Sequence, residues 1–537
     1  MRSEDHGTDR FLKVSLVVAA ISVSAYIFQL RGSLPGPAWV TVFGLILYPI
    51  ARFPKRRLIG GYDLLYLAIF GAGIGGVLSY GSPLPVGYRD VILHYSIIRS
   101  GISGGHLTAI PESVSFNFIG LYAFTELLAI FFGGPIVRVV QFLPVVTYSA
   151  TIITFYAAMG RHIVTRQLGL FATIIFALTW GVFRFGVEFR TLNIALLMIV
   201  VLLGVHLRTG LTRKVSKQHL CLALICLITL LTSHFTSAFF YLIIGSCFLA
   251  LSLLRGRWDI SVTLVFLGGI GLFAYMQFIG HGFASFVSFH VFKLLVSQPA
   301  GVGAVGVSSG VAGSTYGPII MTLDWGIRFG FLIAGATIGL HWLRDPREEW
   351  TNILIPTSIL GVCTVLAGVG LFFDLNPGRV LTYFAVFFSL IYVQGFTTLR
   401  QDFGRITPQQ VTRRLPSNLT QAALAVFLCL LLLTSVSKLP PSVVGDMELI
   451  RGADVDHSAF HEIQRQDLEA DHFIKSHLRE NQQLVYNGSV SAKAAVIGGR
   501  GMGADTTKTS NVTIAESPCI RDGTVYVNGR IAICPGD

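Results

Sequence analysis

The sequence is poor in charge. Asp, Glu, Lys and Arg make up 13% of its 537 residues, where a soluble domain carries about 25%. So few charges cannot cover so much apolar side chain with a water-facing surface, and a soluble multidomain enzyme is excluded. Cysteine is also scarce: there are seven, none in a Cys-x-x-Cys spacing, which argues against the common structural zinc sites. Cys221, Cys226, Cys247, Cys363 and Cys429 lie in apolar runs and read as packing residues. No P-loop, His-Glu-x-x-His, Gly-x-Ser-x-Gly or dinucleotide-binding glycine motif occurs.

What the chain has in abundance is long apolar runs, with 53% hydrophobic residues. Many approach the roughly 20 residues that cross a bilayer as a helix. They fall at about 11–30, 37–52, 62–80, 114–134, 136–159, 167–183, 190–207, 218–233, 235–254, 260–279, 317–340, 351–373, 380–397 and 418–437. The fold class expected is an all-α polytopic membrane protein of about 13 transmembrane helices over residues 11–437, after a cytoplasmic tail, 1–10. The first run, Phe11–Leu30, lacks a small-residue cleavage site and reads as a retained helix.

The net charge of +12 is unevenly spread. Residues 438–537 hold 10 basic and 13 acidic side chains, whereas the other 437 residues hold 30 and 15. The excess basic residues sit in short loops: Arg52–Arg57, Arg161–Arg166, Arg208–Lys217, Arg255–Arg257, Arg344–Arg347 and Arg400–Arg414. That is the positive-inside pattern of membrane helices. No basic stripe with interleaved aromatics points to nucleic acid. Loops 81–113, 184–189, 280–316 and 374–379, and the tail 438–537, then face the non-cytoplasmic side. Fourteen crossings would return the tail to the cytoplasm, and the conflict lies in residues 114–159. Either one segment there lies in the interface plane, giving 13 spans, or the Arg161–Arg166 loop breaks the charge rule.

The tail reads as a small α+β extracytoplasmic domain, with a helix at Asp467–Leu478 and strands at Gln483–Tyr486 and Thr524–Ile533. Outside the cytoplasm, Cys519 and Cys534 are expected to form a disulfide. Asn487-Gly-Ser and Asn511-Val-Thr fit the glycosylation acceptor pattern. In the outer loop, Asp90–Ser100 places Val91, Ile92, Tyr95 and Ile98 on one helical face and Asp90, His94 and Arg99 off it, as in a helix lying on the membrane surface.

Outward-accessible acids are few: Asp90, Glu112, Glu188 and Asp374, with Glu126 and Asp324 inside apolar runs. Asp90 and His94 are four apart, so their side chains share a face and can take a proton from a hydroxyl or share a metal. A plain surface helix, with Asp90 paired to Arg89 or capping, fits the same residues. Arg379 opens a span at the outer side and offers a planar fork of donors suited to phosphate, or a snorkelling contact with headgroups. Arg184, Glu188 and Arg190 form a second outer cluster, or an internal salt-bridge set. His234 sits at a tight outer turn, where a satisfied turn histidine is the alternative. Asp324 and Arg328 have the spacing of a neutralising pair.

These motifs resemble the GT-C superfamily of membrane glycosyltransferases. The likeness rests on the acid-bearing loop at Asp90 and on Tyr156-Ala-Ala-Met-Gly-Arg-His, Leu168-Gly-Leu-Phe-Ala-Thr and Glu188-Phe-Arg-Thr-Leu-Asn. The hairpin at Ser233-His234-Phe235 and the span opened by Arg379 extend it. It covers residues 60–440 as a pattern of spans. The resemblance implies a lipid-phosphate-linked sugar donor of the polyprenyl or dolichyl type, and an acceptor glycan, lipid or protein. Asp90 would be the catalytic base with His94 beside it; Arg379, Arg89, Glu188, Arg190 and His234 would bind substrate, the arginines on the carrier phosphate. Members often pair two acids in this loop, whereas here Asp90 follows Arg89, so a divalent metal cofactor stays open. Two other readings are a transporter or lipid flippase built around Asp324 and Arg328, and a scaffold that presents the tail domain.

Overall fold

The computed structural model describes residues 63–79, 94, 98, 119–133, 136–160, 162, 166–187, 189, 191–212, 216–254, 260–278, 317–344, 354–363, 377–406, 427–428, 430–431 and four short strands after residue 483. The helices are α1 (Asp63–Ser79), α2 (Ile119–Phe132), α3 (Ile136–Phe155), α4 (Arg166–Leu178), α5 (Trp180–Val187), α6 (Thr191–Thr212) and α7 (Lys217–Ser233). They continue with α8 (Phe235–Leu254), α9 (Ile260–Phe278), α10 (Gly317–Arg344), α11 (Leu354–Cys363) and α12 (Pro377–Ile406). Strands β1 (Leu484–Tyr486), β2 (Val512–Ala515), β3 (Tyr526–Val527) and β4 (Ala532–Pro535) form one sheet, in the order β1-β2-β4-β3. The runs expected at 11–30 and 37–52, and the helix expected at Asp467–Leu478, lie outside the described residues.

Small residues let these helices approach closely. Gly71 and Gly75 of α1 face Ser149 and Val145 of α3, and Asp63 meets Tyr156, so α1 and α3 run antiparallel. Gly204 of α6 lies on Ala158, and Asn193 meets Thr147, so α6 runs parallel to α3. Gly330 and Gly395 admit the parallel pair α10 and α12, where Gly395 rests on the Ala334 backbone. Stacked aromatics fill the centre, among them Phe155 on Phe176 with ring centroids 4.4 Å apart.

The outer surface of the bundle is apolar. Leu222, Ile225 and Ile228 of α7 are exposed, as are Phe266, Ile270 and Phe273 of α9, and Phe329, Leu332, Ile333, Leu340 and Leu343 of α10. Soluble monomers rarely carry such continuous apolar patches. Among the described residues, two helices, Arg138–Gly160 and Thr191–Arg208, are long and apolar enough on their own to cross a membrane, and eight shorter apolar helices accompany them.

Helix α2 starts and finishes at one end of the bundle. Gly120 packs on Thr232 and Ser233 at the tip of α7, and Gly133, with φ of 58°, turns the chain back into α3. The tip of α7 and the start of α3 both lie at the end opposite the Asp63–Tyr156 bond, because α3 and α6 run parallel and α7 returns.

Three expectations change on the structure. The run 167–183 is two helices, because the chain bends at Thr179, where the Tyr148 hydroxyl takes the Ala177 carbonyl just before it. Arg184 consequently lies in α5 and not in an outer loop. The strand expected at Thr524–Ile533 is an antiparallel pair, with Tyr526 opposite Ile533 and Val527 opposite Ala532; the intervening Asn528-Gly529 is a turn-forming dipeptide. Finally, Cys221 and Cys363, expected to pack, are exposed, while Cys226 and Cys247 are buried.

Candidate functional site

Three helix ends meet through a chain of hydrogen bonds. His234 closes α7 in extended backbone geometry (φ −162°, ψ 94°), its amide bonding the Leu230 carbonyl at 3.0 Å. Its imidazole then caps α8: the Ser237 amide donates to Nδ1 at 3.2 Å, and Ser237 Oγ lies 2.6 Å from the same nitrogen. An orphan amide in the first turn of a helix requires such an acceptor. With Nδ1 accepting, the ring proton sits on Nε2. Ser237 Oγ is in turn 2.7 Å from the Tyr383 hydroxyl of α12. Tyr383 is 1% exposed and stacks on Phe240 at 4.7 Å. The consistent donor order runs from Tyr383 to Ser237 to His234.

Arg379 lies in the first turn of α12, four residues before Tyr383. That spacing places the two positions on the same stripe of the helix. Pro377 opens α12, a favoured first residue because its missing amide is one that would lack a partner anyway. The positive end of the α12 dipole therefore falls beside an arginine and the His234 corner.

The corner between α5 and α6 is built by buried polar groups. Asn193 bonds Thr147 of α3 through its side-chain oxygen and the Gly186 carbonyl through its amide. The Tyr148 hydroxyl donates to the Ala177 carbonyl at 2.8 Å, and its ring lies so close to Gly186 that no side chain fits there. Buried Phe189 pins the turn itself. Glu188 and Arg190 flank Phe189 and lie outside the described residues, as do Arg89 and Asp90. Cys534 falls in β4 opposite Thr513; its expected partner Cys519 is outside the described residues.

His94 departs from the surface-helix reading. It is 6% exposed, and so is buried with Ile98 one turn on. Its Nδ1 lies 2.9 Å from the Tyr122 hydroxyl of α2. A tyrosine partner 28 residues away gives the imidazole a polar contact inside the bundle, which a helical wheel drawn on 90–100 alone does not supply.

Sequence reasoning missed Ser237, Tyr383 and Asp63. Ser237 and Tyr383 are separated by 146 residues, and Asp63 and Tyr156 by 93. Asp63, 7% exposed, accepts the Tyr156 hydroxyl at 2.6 Å. It stands at the start of the apolar run 62–80, and its partner Tyr156 lies at the end of another. Glu126 was noted as an acid inside an apolar run; its Oε1 is buried without a hydrogen-bond partner. Asp324 and Arg328 stand four apart in α10. Among the described residues no group of three His, Cys, Asp or Glu side chains gathers to hold a metal.

The fold is similar to that of two solved structures. The oligosaccharyltransferase of Archaeoglobus fulgidus, in its apo form, matches with a TM-score of 0.51 at 12% identity, over 82% of this chain and 64% of its own. ArnT from Cupriavidus metallidurans, bound to undecaprenyl phosphate, matches with a TM-score of 0.50 at 12% identity, over 89% of this chain and 98% of its own. The chain thus spans less than two thirds of the oligosaccharyltransferase and nearly all of ArnT. No protein-family model and no curated protein sequence matches it.

Proposed function

We propose that the chain is an integral membrane glycosyltransferase that moves a sugar from a polyprenyl- or dolichyl-phosphate carrier to an acceptor on the non-cytoplasmic face. The observation that carries this reading is the His234–Ser237–Tyr383 chain, which joins the α7–α8 corner to the helix that holds Arg379 in its first turn. A neutral imidazole with its proton on Nε2, an arginine and a helix N-terminus together favour an anionic oxygen. The undecaprenyl phosphate bound to ArnT supports a lipid-phosphate donor.

In the reaction, Asp90 takes the proton of an acceptor hydroxyl, and the freed oxygen attacks the sugar's anomeric carbon. The bond from that carbon to the carrier phosphate breaks, and the phosphate leaves with its added charge on Arg379, Arg190 and His234. Glu188 and Arg89 orient the sugar and acceptor. A divalent cation at the Asp90 loop would share the phosphate charge. The apolar flank of the bundle sits in hydrocarbon, with α2 in the interface plane and 13 helices crossing. Residues 1–10 are then cytoplasmic, and residues 438–537 form an α+β domain outside, closed by Cys519–Cys534.

The test is sugar transfer in proteoliposomes from a tritiated polyprenyl-phosphate hexose. Asp90→Asn should lower kcat by about 100-fold or more, the usual contribution of a positioned base, with donor binding retained. A chelator arm reads metal dependence separately. Full transfer by Asp90→Asn would reject Asp90 as the base.

A further inference from the structure

We propose that Tyr122 is a positioning residue that fixes the acid-bearing outer loop in register with the His234 corner; the proposal rests on the transferase reading above. Its hydroxyl holds His94 Nδ1 at 2.9 Å, with the two rings tilted at 49° and their centroids 5.8 Å apart. Ile98, four residues on from His94, is fully buried, so the segment has one polar and one apolar anchor. Asp90 stands one turn before His94 in the sequence. Contacts held at His94 and Ile98 limit how far a residue four positions earlier in the chain can stray.

The platform that carries Tyr122 is itself clamped at its first turn. Gly120 lies flush against the tip of α7: a Cβ there would come within 2.6 Å of Thr232 Oγ1 and 3.0 Å of Ser233 Oγ. His234 follows Ser233 directly. A continuous line of contacts thus runs from His94 through Tyr122 and Gly120 to Ser233, His234, Ser237 and Tyr383. Reacting groups misplaced by about 1 Å lose about 100-fold in rate, so a base on a loop needs such a link to the phosphate-binding corner.

Tyr122→Phe removes the hydroxyl and keeps the ring. Two measurements on the full-length protein in nanodiscs or proteoliposomes test it. With the tritiated polyprenyl-phosphate hexose, kcat should fall at least tenfold while KM for the donor stays within twofold. Backbone hydrogen exchange of residues 88–100 should rise at least tenfold, with residues 217–254 unchanged. Wild-type exchange over 88–100 in the variant would overturn the proposal whatever the activity does. Loss of protection over 217–254 as well would make Tyr122 a general structural residue, and would overturn it too. If the wild-type protein transfers no sugar, the transferase reading fails while the exchange measurement still decides whether Tyr122 anchors the loop.

Discussion

Tyr383→Phe isolates one atom of the His234 corner. The ring remains, and with it the stack on Phe240, whose plane lies 21° from that of Tyr383. What goes is the hydroxyl 2.7 Å from Ser237 Oγ. Ser237 is fully buried, so no bulk water replaces the lost partner. Leaving a buried polar atom short of its partner costs about 1–3 kcal/mol. If that cost falls on the transition state, where His234 must hold its orientation, kcat/KM drops about 5- to 150-fold, since each 1.4 kcal/mol is about tenfold. Ser237→Ala cuts the same chain one link nearer the imidazole and should lose a similar amount. Because both changes break one chain, the double variant should be little worse than either single one, with a coupling of about 1 kcal/mol or more. The assay is sugar transfer at subsaturating donor, with thermal unfolding in detergent as the control for fold. Additive losses, or wild-type kcat/KM in Tyr383→Phe, would refute the chain as a functional unit.

At the other end of the bundle, Tyr156→Phe leaves the buried Asp63 carboxylate without the hydroxyl that meets it at 2.6 Å. A loss of about 1.5–3 kcal/mol is expected for a bond to a charged group, read as a lower unfolding midpoint, with kcat of the surviving folded protein unchanged. Gly395→Ala drives a Cβ to 2.6 Å from the Ala334 carbonyl oxygen and 2.7 Å from its Cα. Backbone cannot yield there as a side-chain tip can, so α10 and α12 must part, and about 1–3 kcal/mol of stability should go; an unchanged midpoint would refute close packing of that pair.

Local patterning made much of the helical frame readable. Lys217–Ser233, Phe235–Leu254 and Ile260–Phe278 match the apolar runs to within a residue or so, because basic loops and the His234 corner punctuate them. The bend at Thr179 was not readable, since nothing in that run interrupts its hydrophobicity; it comes from packing, with Tyr148 taking the Ala177 carbonyl. Likewise, Asp90, Arg379 and His234 stood out because charge and imidazole are conspicuous against apolar sequence. Ser237 and Tyr383 did not, because serine and tyrosine are ordinary in an apolar helix until a partner 146 residues away gives them a task. His94 was placed with the polar face because the periodicity of its own segment says nothing of Tyr122, the α2 phenol that meets it. Strand β2 escaped notice because four residues carry too little pattern, and it exists through pairing with β1 and β4.

The end of α3 holds a consequence of its own. Residues Tyr156–Gly160 form a single wide π turn, the form taken when a helix accommodates one surplus residue. Each residue of an α-helix advances the side chain by about 100°. Deleting one of Ala157 or Ala158 would let the turn relax to ordinary winding and swing the segment that follows through about that angle. Gly160, seated on the Gly169 carbonyl, would then face elsewhere, and α4 would have to find a new seat. A one-residue deletion here should therefore be felt far more than an alanine-for-alanine-sized change, and a relative of this chain that lacks the residue must dock its fourth helix differently.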